Sequence, residues 1–452
     1  MSAAPTIPVA PGLPVLGNLP ALMRDPVALL LGAVREHGPL VRVRIGSGGM
    51  LVVAHPEDLE HVLQLHNRRY IRGRTVDMIR PMLGNGLPLS DGDFWLRQRR
   101  IMQPLFSRAR IATLVDRLGE VSRRYLAELR DGAELTTHYL MMRITRDVII
   151  DTMFSSSLGD DVSELDAALS TIEVHVARYA FLPFQVPEWL PLPDHVRFRR
   201  AIATLDRLVY GLIAQRRAEA ATADAAARDL LDALLHARDP ETGEGMSEKE
   251  LRDEVMNIFF AGHETTANLL TWTVLELSRH PAIEERLRDE VDAVLRGRAP
   301  QARDLPELEL TSAVLRETLR LHPPAWILAR EAAEDDELRG HPVPRGTALT
   351  ILPIATHRLS AFWPEPERFD PDRFLRDRTI GLGGTKNWAF IPFGAGPHVC
   401  IGNHLAMAEA VVVLATLYQR GRLRALHPER ARPRASATLH VRDGLPARFD
   451  AR

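Results

Sequence analysis

The chain has 452 residues, of which 45% are hydrophobic, so it is long and apolar enough to bury a large core. Its 57 basic and 59 acidic residues give a net charge of −2, which does not favour a nucleic-acid partner. A single cysteine excludes an intrachain disulfide and a multi-cysteine zinc site. Because no basic residue precedes an N-terminal apolar run, we expect no secretory signal and a cytoplasmic protein.

The N-terminal part mixes proline-rich coil, one amphipathic helix and one hairpin. The helix covers 26–37, and the hairpin strands cover 40–45 and 50–54 on either side of a glycine-rich turn. No linker, charge run or repeat divides the chain, so we expect a single domain over residues 1–452 with residues 1–10 flexible.

The middle of the chain is mostly helical, from 93 to 298, except at 181–193, where four prolines forbid a continuous helix. A further helix over 311–321 stops before a Pro-Pro pair. Short strands and loops then lead to a last helix, for which Gly421 is the expected C′ residue. These patterns predict a mainly α protein with a minor β region.

One long helix is predicted from the capping box at Ser247 and Glu250 to about His280. Its apolar stretch at 255–275 contains His263 and Glu264, and because charge is expensive in lipid, we expect a buried helix rather than a membrane anchor. His263 and Glu264 do not begin a zinc motif, since position 267 is alanine.

Small residues lie on one face of this helix. Ala261 and Thr265 are four apart, with Gly262 beside them, and together they would let a flat cofactor approach. An interior glycine costs about 1 kcal/mol, and a threonine hydroxyl can bond back to a carbonyl four residues earlier. We therefore expect a local defect in the helix at this point.

Cys400 follows a glycine-rich loop that contains Phe393 and Gly396, and Gly402 comes directly before the last helix. The cysteine could be a buried thiol, a nucleophile or a single thiolate ligand. The nearby helix N-terminus favours a thiolate, and a thiolate bound to haem iron promotes O–O cleavage.

This segment resembles the haem-ligand loop of the cytochrome P450 family, Phe-x-x-Gly-x-x-x-Cys-x-Gly, in every fixed position. The resemblance implies haem b as cofactor and Cys400 as the axial iron ligand, with Phe393 and Gly402 beside it. It also implies the single-domain, helix-rich P450 fold.

Further segments are similar to other P450 motifs. The residues from Ala261 to Thr266 resemble the oxygen-activating segment, in which Thr265 would hold a water near dioxygen and Glu264 would pass protons inward. Glu317 and Arg320, with Arg373 downstream, resemble the family's Glu-Arg-Arg network that supports the haem-ligand loop.

The haem propionates need cationic or hydrogen-bonding partners. The resemblance assigns this role to Trp95 and Arg99, which match a Trp-x-x-x-Arg helix, and to Arg330. His398 stands where many relatives carry arginine, so its charge is left open.

The substrate pocket implied by the resemblance is apolar, which favours a lipophilic ligand held by shape. We expect Arg72, Arg74 and Arg80 to face solvent rather than to bind a carboxylate. The predicted pocket residues are Met78, Ile79, Met82, Leu83, Leu87, Phe181, Phe184, Val186, Phe260, Leu269, Trp326 and Ile327.

The implied function is that of a soluble bacterial-type monooxygenase that consumes O2 and oxidises a terpenoid or similar secondary metabolite. The chain has no phosphate loop, Gly-x-Ser-x-Gly elbow or dinucleotide fingerprint, so NAD(P)H would act only through a separate ferredoxin and ferredoxin reductase. We expect the donor to dock beside Arg97, Arg100 and His398, and the enzyme to be a monomer. The alternatives are a fatty-acid hydroxylase, a peroxide-driven peroxygenase or isomerase, and a non-catalytic haem sensor.

Overall fold

The computed structural model describes residues 6–73, 76–77, 79–154, 162–179, 186, 189–220, 229–383 and 388–452. Helices dominate and the strands form small sheets, so the predicted fold class is confirmed. The helices are α1 (Leu19–Arg24), α2 (Pro26–His37), α3 (Pro56–Glu60), α4 (Arg80–Leu83), α5 (Gly92–Met102), α6 (Arg108–Ala112), α7 (Val115–Ala127), α8 (Thr137–Phe154), α9 (Val162–Tyr179), α10 (Pro193–Ala220), α11 (Leu230–His236), α12 (Glu248–Arg279), α13 (Pro281–Leu295), α14 (Glu309–Leu321), α15 (Pro353–Thr356), α16 (Asp372–Arg376) and α17 (Asn403–Arg420).

The strands are β1 (Leu40–Ile45), β2 (Gly48–Val53), β3 (Tyr70–Ile71), β4 (Glu134–Thr136), β5 (Leu328–Ala332), β6 (Asp336–Leu338), β7 (His341–Val343), β8 (Ala348–Ile351), β9 (Gly421–Ala425), β10 (Pro433–Ala435), β11 (Leu439–Val441) and β12 (Pro446–Ala451). They form a five-stranded sheet of order β1-β2-β8-β5-β3, a three-stranded sheet of order β4-β12-β9, and two hairpins, β6-β7 and β10-β11. Pairing of β3 with β5 joins chain segments about 260 residues apart, since Tyr70 lies opposite Ala332.

The long helix α12 begins at the predicted capping box. The backbone N–H of Glu250 donates to the Ser247 hydroxyl at 3.2 Å, and the Ser247 N–H donates to the Glu250 carboxylate at 2.6 Å. The helix has 32 residues, so it extends about 48 Å. It packs against α8, α14 and α17, and most of its residues from Leu251 to Leu277 are buried. This helix is therefore the central element around which the site is arranged.

Three details differ from the sequence-based expectations. The α12 helix is continuous through Ala261 and Thr265, so no local break forms there. The hairpin turn is shorter than expected: Ile45 pairs with Gly48, which leaves Gly46 and Ser47 as a two-residue loop. Gly421 ends α17, but at φ 166° its backbone is extended and begins β9, instead of forming a left-handed cap.

The segment that follows α4 is held against α12 by hydrogen bonds. The Asn85 N–H donates to Asp253 at 2.9 Å, and the Leu87 N–H donates to both oxygens of Glu254 at 3.0 and 3.2 Å. A Cβ atom on Gly84 would overlap with the Asp253 carboxylate, and one on Gly86 would overlap with the side-chain amide of Asn257. Two glycines therefore allow this segment to lie directly on the helix.

In the described part of the chain, no helix combines the length and apolar character needed to cross a bilayer.

Candidate active site

A cavity of about 340 Å³ lies between α5, α12, α17 and the loop that carries Cys400. The lining includes a set of residues that the sequence predicted: Leu87, Trp95, Arg99, Ala261, Gly262, Thr265, Leu269, Arg330, Phe393, His398, Cys400 and Gly402. The structure thus gathers residues from four distant segments of the chain around one space.

The cysteine loop is fixed by its backbone. The Cys400 N–H donates to the Phe393 carbonyl at 2.9 Å, which closes the loop. Gly396 has φ +69°, and a Cβ atom on it would overlap with the Leu63 carbonyl oxygen. Only glycine allows this close approach, so the loop rests against the chain that follows α3.

Protein surrounds Cys400, while its side chain is exposed to the cavity instead of being packed against a neighbour. Burial raises the pKa of the Cys400 thiol, and the backbone N–H groups of Gly402 and Asn403 with Arg99 lower it by less. The N-terminus of α17 therefore lowers the thiol pKa as expected, but burial raises this pKa by more. A metal cation would complete the deprotonation, because a coordinating thiol binds as the thiolate.

A cluster of cations lies beside the loop. Arg99 donates to the Val399 carbonyl at 2.9 Å, and Arg330 is only 5% exposed. Arg72 contacts the His398 ring nitrogen Nδ1 at 3.0 Å, and the Trp95 ring packs against the same ring at a tilt of 33° with centroids 3.9 Å apart.

Among the described residues, no carboxylate forms an ion pair with the guanidinium groups of Arg72, Arg99 or Arg330, and Asp91 accepts only from the backbone N–H of Arg72 at 2.9 Å. Burial, then the neighbouring Arg72, lowers the pKa of Arg330, and burial with the three arginines lowers the pKa of His398 to about 3. His398 is therefore neutral at pH 7. The Nε of Arg72 is buried without a hydrogen-bond partner. Two propionate groups would supply the missing negative charge, so these residues fit haem.

Arg72 was expected to face solvent and instead lines the cavity. The β3-β5 pairing brings it next to Arg330, and nothing in the local sequence signals that pairing. Arg80 is bonded to Asn85 and to the Leu89 carbonyl. Arg74 lies outside the described residues.

Thr265 lines the cavity and its hydroxyl donates to the Ala261 carbonyl at 2.7 Å, as the sequence predicted. A Cβ atom on Gly262 would lie 2.6 Å from Ile149 of α8. Glycine at this position is therefore needed for the close packing of α12 against α8, independently of any role beside a cofactor.

Glu264 is adjacent to Thr265 in sequence but is not among the residues that line the cavity. The Thr438 hydroxyl, which accepts from Asn268, donates to its carboxylate at 2.5 Å. Burial raises the pKa of Glu264, and Glu173 raises it further. Thr438 therefore holds the Glu264 carboxyl outside the cavity, and a proton that leaves this carboxyl must still be transferred to the cavity side of α12.

Glu409 was not predicted, although it lines the cavity from α17. It is 1% exposed, burial holds the pKa of its carboxyl well above the ordinary value, and one carboxylate oxygen has no partner. The sequence did contain one indication of a functional position, because Glu409 is the single acidic residue in the apolar sequence of α17.

Glu317, Arg320 and Arg373 do come together. Arg373 Nε donates to the Glu317 carboxylate at 3.1 Å, and the Asp370 N–H donates to the same oxygen at 2.8 Å. The network connects α14 to the segment around α16, which leads to the cysteine loop.

Of the predicted pocket residues that the structure describes, Leu87 and Leu269 line the cavity and the others lie elsewhere. Phe260, one residue before Ala261, is turned about 100° around the helix and packs near Phe259. Trp326 is fully buried and donates to the Ser436 carbonyl at 3.3 Å. Leu83 and Ile327 pack into the core away from the lining, and Met78, Phe181 and Phe184 lie outside the described residues. Beside Leu87, the lining of this region comes from Pro88, Glu254, Asn257 and Ile258, which were not predicted.

Comparison with known proteins identifies the architecture. The family model described as Cytochrome P450 matches residues 7–441. The chain belongs to the cytochrome P450 family. This P450 is 37% identical over 409 residues to Cyclooctat-9-en-7-ol 5-monooxygenase of Streptomyces melanosporofaciens, covering 89% of this chain and 86% of the relative.

Two further relatives cover almost the whole chain. Cyclooctatin synthase of the same organism is 36% identical, over 95% of this P450 and 93% of the relative. Pentalenene oxygenase of Streptomyces avermitilis is 35% identical, over 95% and 94%. The family and these monooxygenase relatives make this protein a P450 monooxygenase, an oxidoreductase that uses dioxygen at a haem with a thiolate ligand.

Proposed function

We propose that this P450 inserts one oxygen atom into a terpenoid secondary metabolite. The observation that carries the proposal is one cavity lined both by Cys400 and by Thr265, with mostly apolar residues between them. The names of the relatives support a terpenoid, since they refer to cyclooctatin and pentalenene.

The proposed cofactor is haem b, with Cys400 as the axial ligand. Bound haem supplies a thiolate-ligated iron at which dioxygen is activated. Arg72, Arg99 and Arg330 would hold its propionates by charge, while His398, neutral and packed against Trp95, would contribute a hydrogen bond.

Proton delivery is proposed for the two neighbouring residues of α12. The Thr265 hydroxyl lines the cavity and would hold a water there, and burial raises the pKa of Glu264, so its carboxyl binds a proton more readily than an exposed one. The hydrogen bond from Thr438 holds the Glu264 carboxyl at the β10-β11 turn, so a change of its rotamer or a bridging water would have to connect it to Thr265.

The electron donor is proposed to be a ferredoxin reduced by NAD(P)H through its reductase in the cytoplasm. The expected docking residues Arg97 and Arg100 are already paired, with Glu250 at 2.8 Å and with Asp239 at 2.8 Å. Arg108 of α6 is a better candidate, because it is exposed and contacts His404 of α17, not a carboxylate, at 3.5 Å. We therefore propose that the docking surface lies around Arg108.

A binding and turnover experiment tests the function. The purified haem-loaded protein is titrated with terpenes and with fatty acids while the spectral shift caused by loss of the iron-bound water is recorded. Shifts with terpenes, and product formation that needs NADPH, ferredoxin and reductase, are expected. Tight shifts with fatty acids alone would favour a fatty-acid hydroxylase, and product from peroxide alone would favour a peroxygenase. Binding of gases without any turnover would favour a sensor.

A further inference from the structure

Two polar residues of α12 line the cavity at a distance from Thr265. Glu254 and Asn257 are three residues apart, so they lie on one side of the helix. Asn257 is eight residues before Thr265, which is about 12 Å along the helix axis. The neighbouring lining residues Leu87, Pro88 and Ile258 are apolar. This pair is therefore a polar spot in an otherwise apolar part of the wall.

The orientation of the Asn257 amide is fixed by its partners. The Nδ2 group donates to the Leu83 carbonyl and to the Asp253 carbonyl, both at 2.7 Å. Because both partners are acceptors, the oxygen cannot take that place, and Oδ1 must lie on the other side. The residue is only 3% exposed, and within the described part of the chain no donor lies within hydrogen-bond distance of the buried Oδ1. A buried acceptor without a donor costs about 1–3 kcal/mol.

Glu254 is suited to the complementary role. It is 1% exposed, and its carboxyl accepts from the Leu87 N–H. Burial raises its pKa to about 8, so at neutral pH it carries a proton and offers an O–H donor as well as a lone pair. An acceptor on Asn257 and a neutral carboxyl on Glu254 match a group that both donates and accepts.

We propose that Asn257 and Glu254 bind a hydroxyl group of the substrate, so that this P450 acts on a terpene alcohol in preference to the parent hydrocarbon. The hydroxyl donates to Asn257 Oδ1 and accepts from the Glu254 carboxyl. A carboxylate ligand is disfavoured, because it has no proton to give to Asn257. This inference rests on the proposed function, of which it specifies the substrate class.

The position of the anchor also constrains the product. A hydroxyl held about 12 Å from Thr265 along the helix places the opposite end of the molecule at the oxidising side of the cavity. In the overall reaction, the terpene alcohol, O2, two electrons and two protons give a diol and water. The ferredoxin supplies the two electrons. The enzyme would therefore act after a reaction that has already installed one hydroxyl on the terpenoid.

Matched ligand pairs test the proposal. Bicyclic and tricyclic terpene alcohols are each compared with the hydrocarbon that lacks the hydroxyl, by spectral titration of the haem-loaded enzyme. We expect the alcohol of the best pair to bind at least about tenfold more tightly. In Asn257→Leu the ratio should fall close to one, with the hydrocarbon affinity changed by less than about threefold.

Two further variants separate ligand binding from loop structure. Asp253→Ala removes the acceptor for the Asn85 N–H without removing a lining residue, so it should change both affinities alike and keep their ratio. Glu254→Gln retains a donor and an acceptor and should keep most of the preference. If Asn257→Leu does not yield the reduced carbon monoxide spectrum of intact enzyme, Asn257→Ala replaces it.

The outcomes distinguish the two proposals. Equal binding of alcohol and hydrocarbon by the native enzyme, or an unchanged ratio in Asn257→Leu, overturns the hydroxyl anchor and leaves a terpenoid monooxygenase intact. The absence of any shift across all terpene pairs, with shifts for fatty acids, overturns the proposed function together with the anchor.

Discussion

Glu317 and Arg320 form a two-point ion pair in which neither side chain is exposed. Both contacts, Arg320 Nε and Nη2 to the two carboxylate oxygens, measure 2.8 Å. The remaining Arg320 N–H groups donate to the carbonyls of His357, Pro366 and Arg368. One guanidinium thus connects α14 to the chain on both sides of residue 360. All five of its N–H groups donate to a carbonyl or carboxylate oxygen.

Replacing Glu317 with alanine should abolish the folded haem-loaded enzyme. It leaves Arg320 buried without its counter-ion, which costs about 3–5 kcal/mol. Haem content and denaturant unfolding measure the loss. Arg286→Ala is the matched control, since its ion pair with Asp372 is largely exposed and should cost less than about 1 kcal/mol. Equal effects of the two variants would contradict a structural role for the buried pair.

Replacing Cys400 with serine should remove the red-shifted Soret band of the reduced carbon monoxide complex. A serine hydroxyl cannot provide the thiolate that gives this band. The spectrum is recorded beside that of His404→Ala, four residues later in α17, which should retain the band. A normal band in Cys400→Ser would disprove the assignment of the axial ligand.

Thr265→Ala should bind substrate normally but release more peroxide per NADPH, because the cavity-facing hydroxyl that holds a water is lost. Thr271→Ala is a matched control: its hydroxyl makes the same 2.7 Å bond to the carbonyl four residues earlier, but it does not line the cavity. Product and peroxide are measured per NADPH consumed. If both variants leak peroxide equally, the cause is the altered helix and not proton delivery.

Glu254→Gln should flatten the pH dependence of stability between pH 4.5 and about 8. The folded-state pKa of Glu254 is raised from 4.5 to about 8, so its stabilising contribution is complete below pH 4.5 and is lost as pH rises through 8. The native enzyme should lose up to about 1.4 kcal/mol per pH unit in this window relative to the variant. Denaturant unfolding at several pH values measures this, with the exposed Glu367→Gln as control. Parallel profiles for Glu254→Gln and the native enzyme would refute the buried neutral carboxyl.

Arg108→Glu should slow reduction by the ferredoxin at low ionic strength, and the difference should shrink as salt rises. Reduction is followed by stopped flow at several salt concentrations. Arg35→Glu reverses an exposed charge on α2, which packs against β1 and α15, and should have little effect. A salt-independent rate in the native enzyme would rule out an electrostatic docking surface around Arg108.

The sequence predicted those features that depend on local chemistry. The capping box places the start of α12, and the cysteine loop and the Thr265 segment are short motifs whose spacing is fixed by short-range backbone geometry. The Glu317 network, whose Arg373 lies 56 residues downstream, was predicted from the family resemblance. Arg72, by contrast, reaches the cavity through the pairing of β3 with β5. The residue pattern within β3 or β5 does not indicate that the strand pairs with one about 260 residues away.

Burial was the second feature that the sequence did not reveal. Glu254, Asn257 and Glu409 are polar residues on helices whose surroundings bury them almost completely. By residue type alone, Glu and Asn are mostly exposed, so the sequence favoured surface positions. Likewise, the side of α12 on which Phe260 lies depends on the packing of its neighbours, and Phe260 is not among the residues that line the cavity.

The way the 84–88 segment is seated on α12 limits how this enzyme can be re-engineered. A loop grafted from a relative would need acceptors for its own N–H groups and a backbone free of side chains where Gly84 and Gly86 now lie. The α12 residues Asp253, Glu254 and Asn257 would have to be transferred with the loop, since their side chains form the hydrogen bonds that hold it. Libraries that vary loop and helix together should therefore yield far more folded variants than libraries that vary the loop alone.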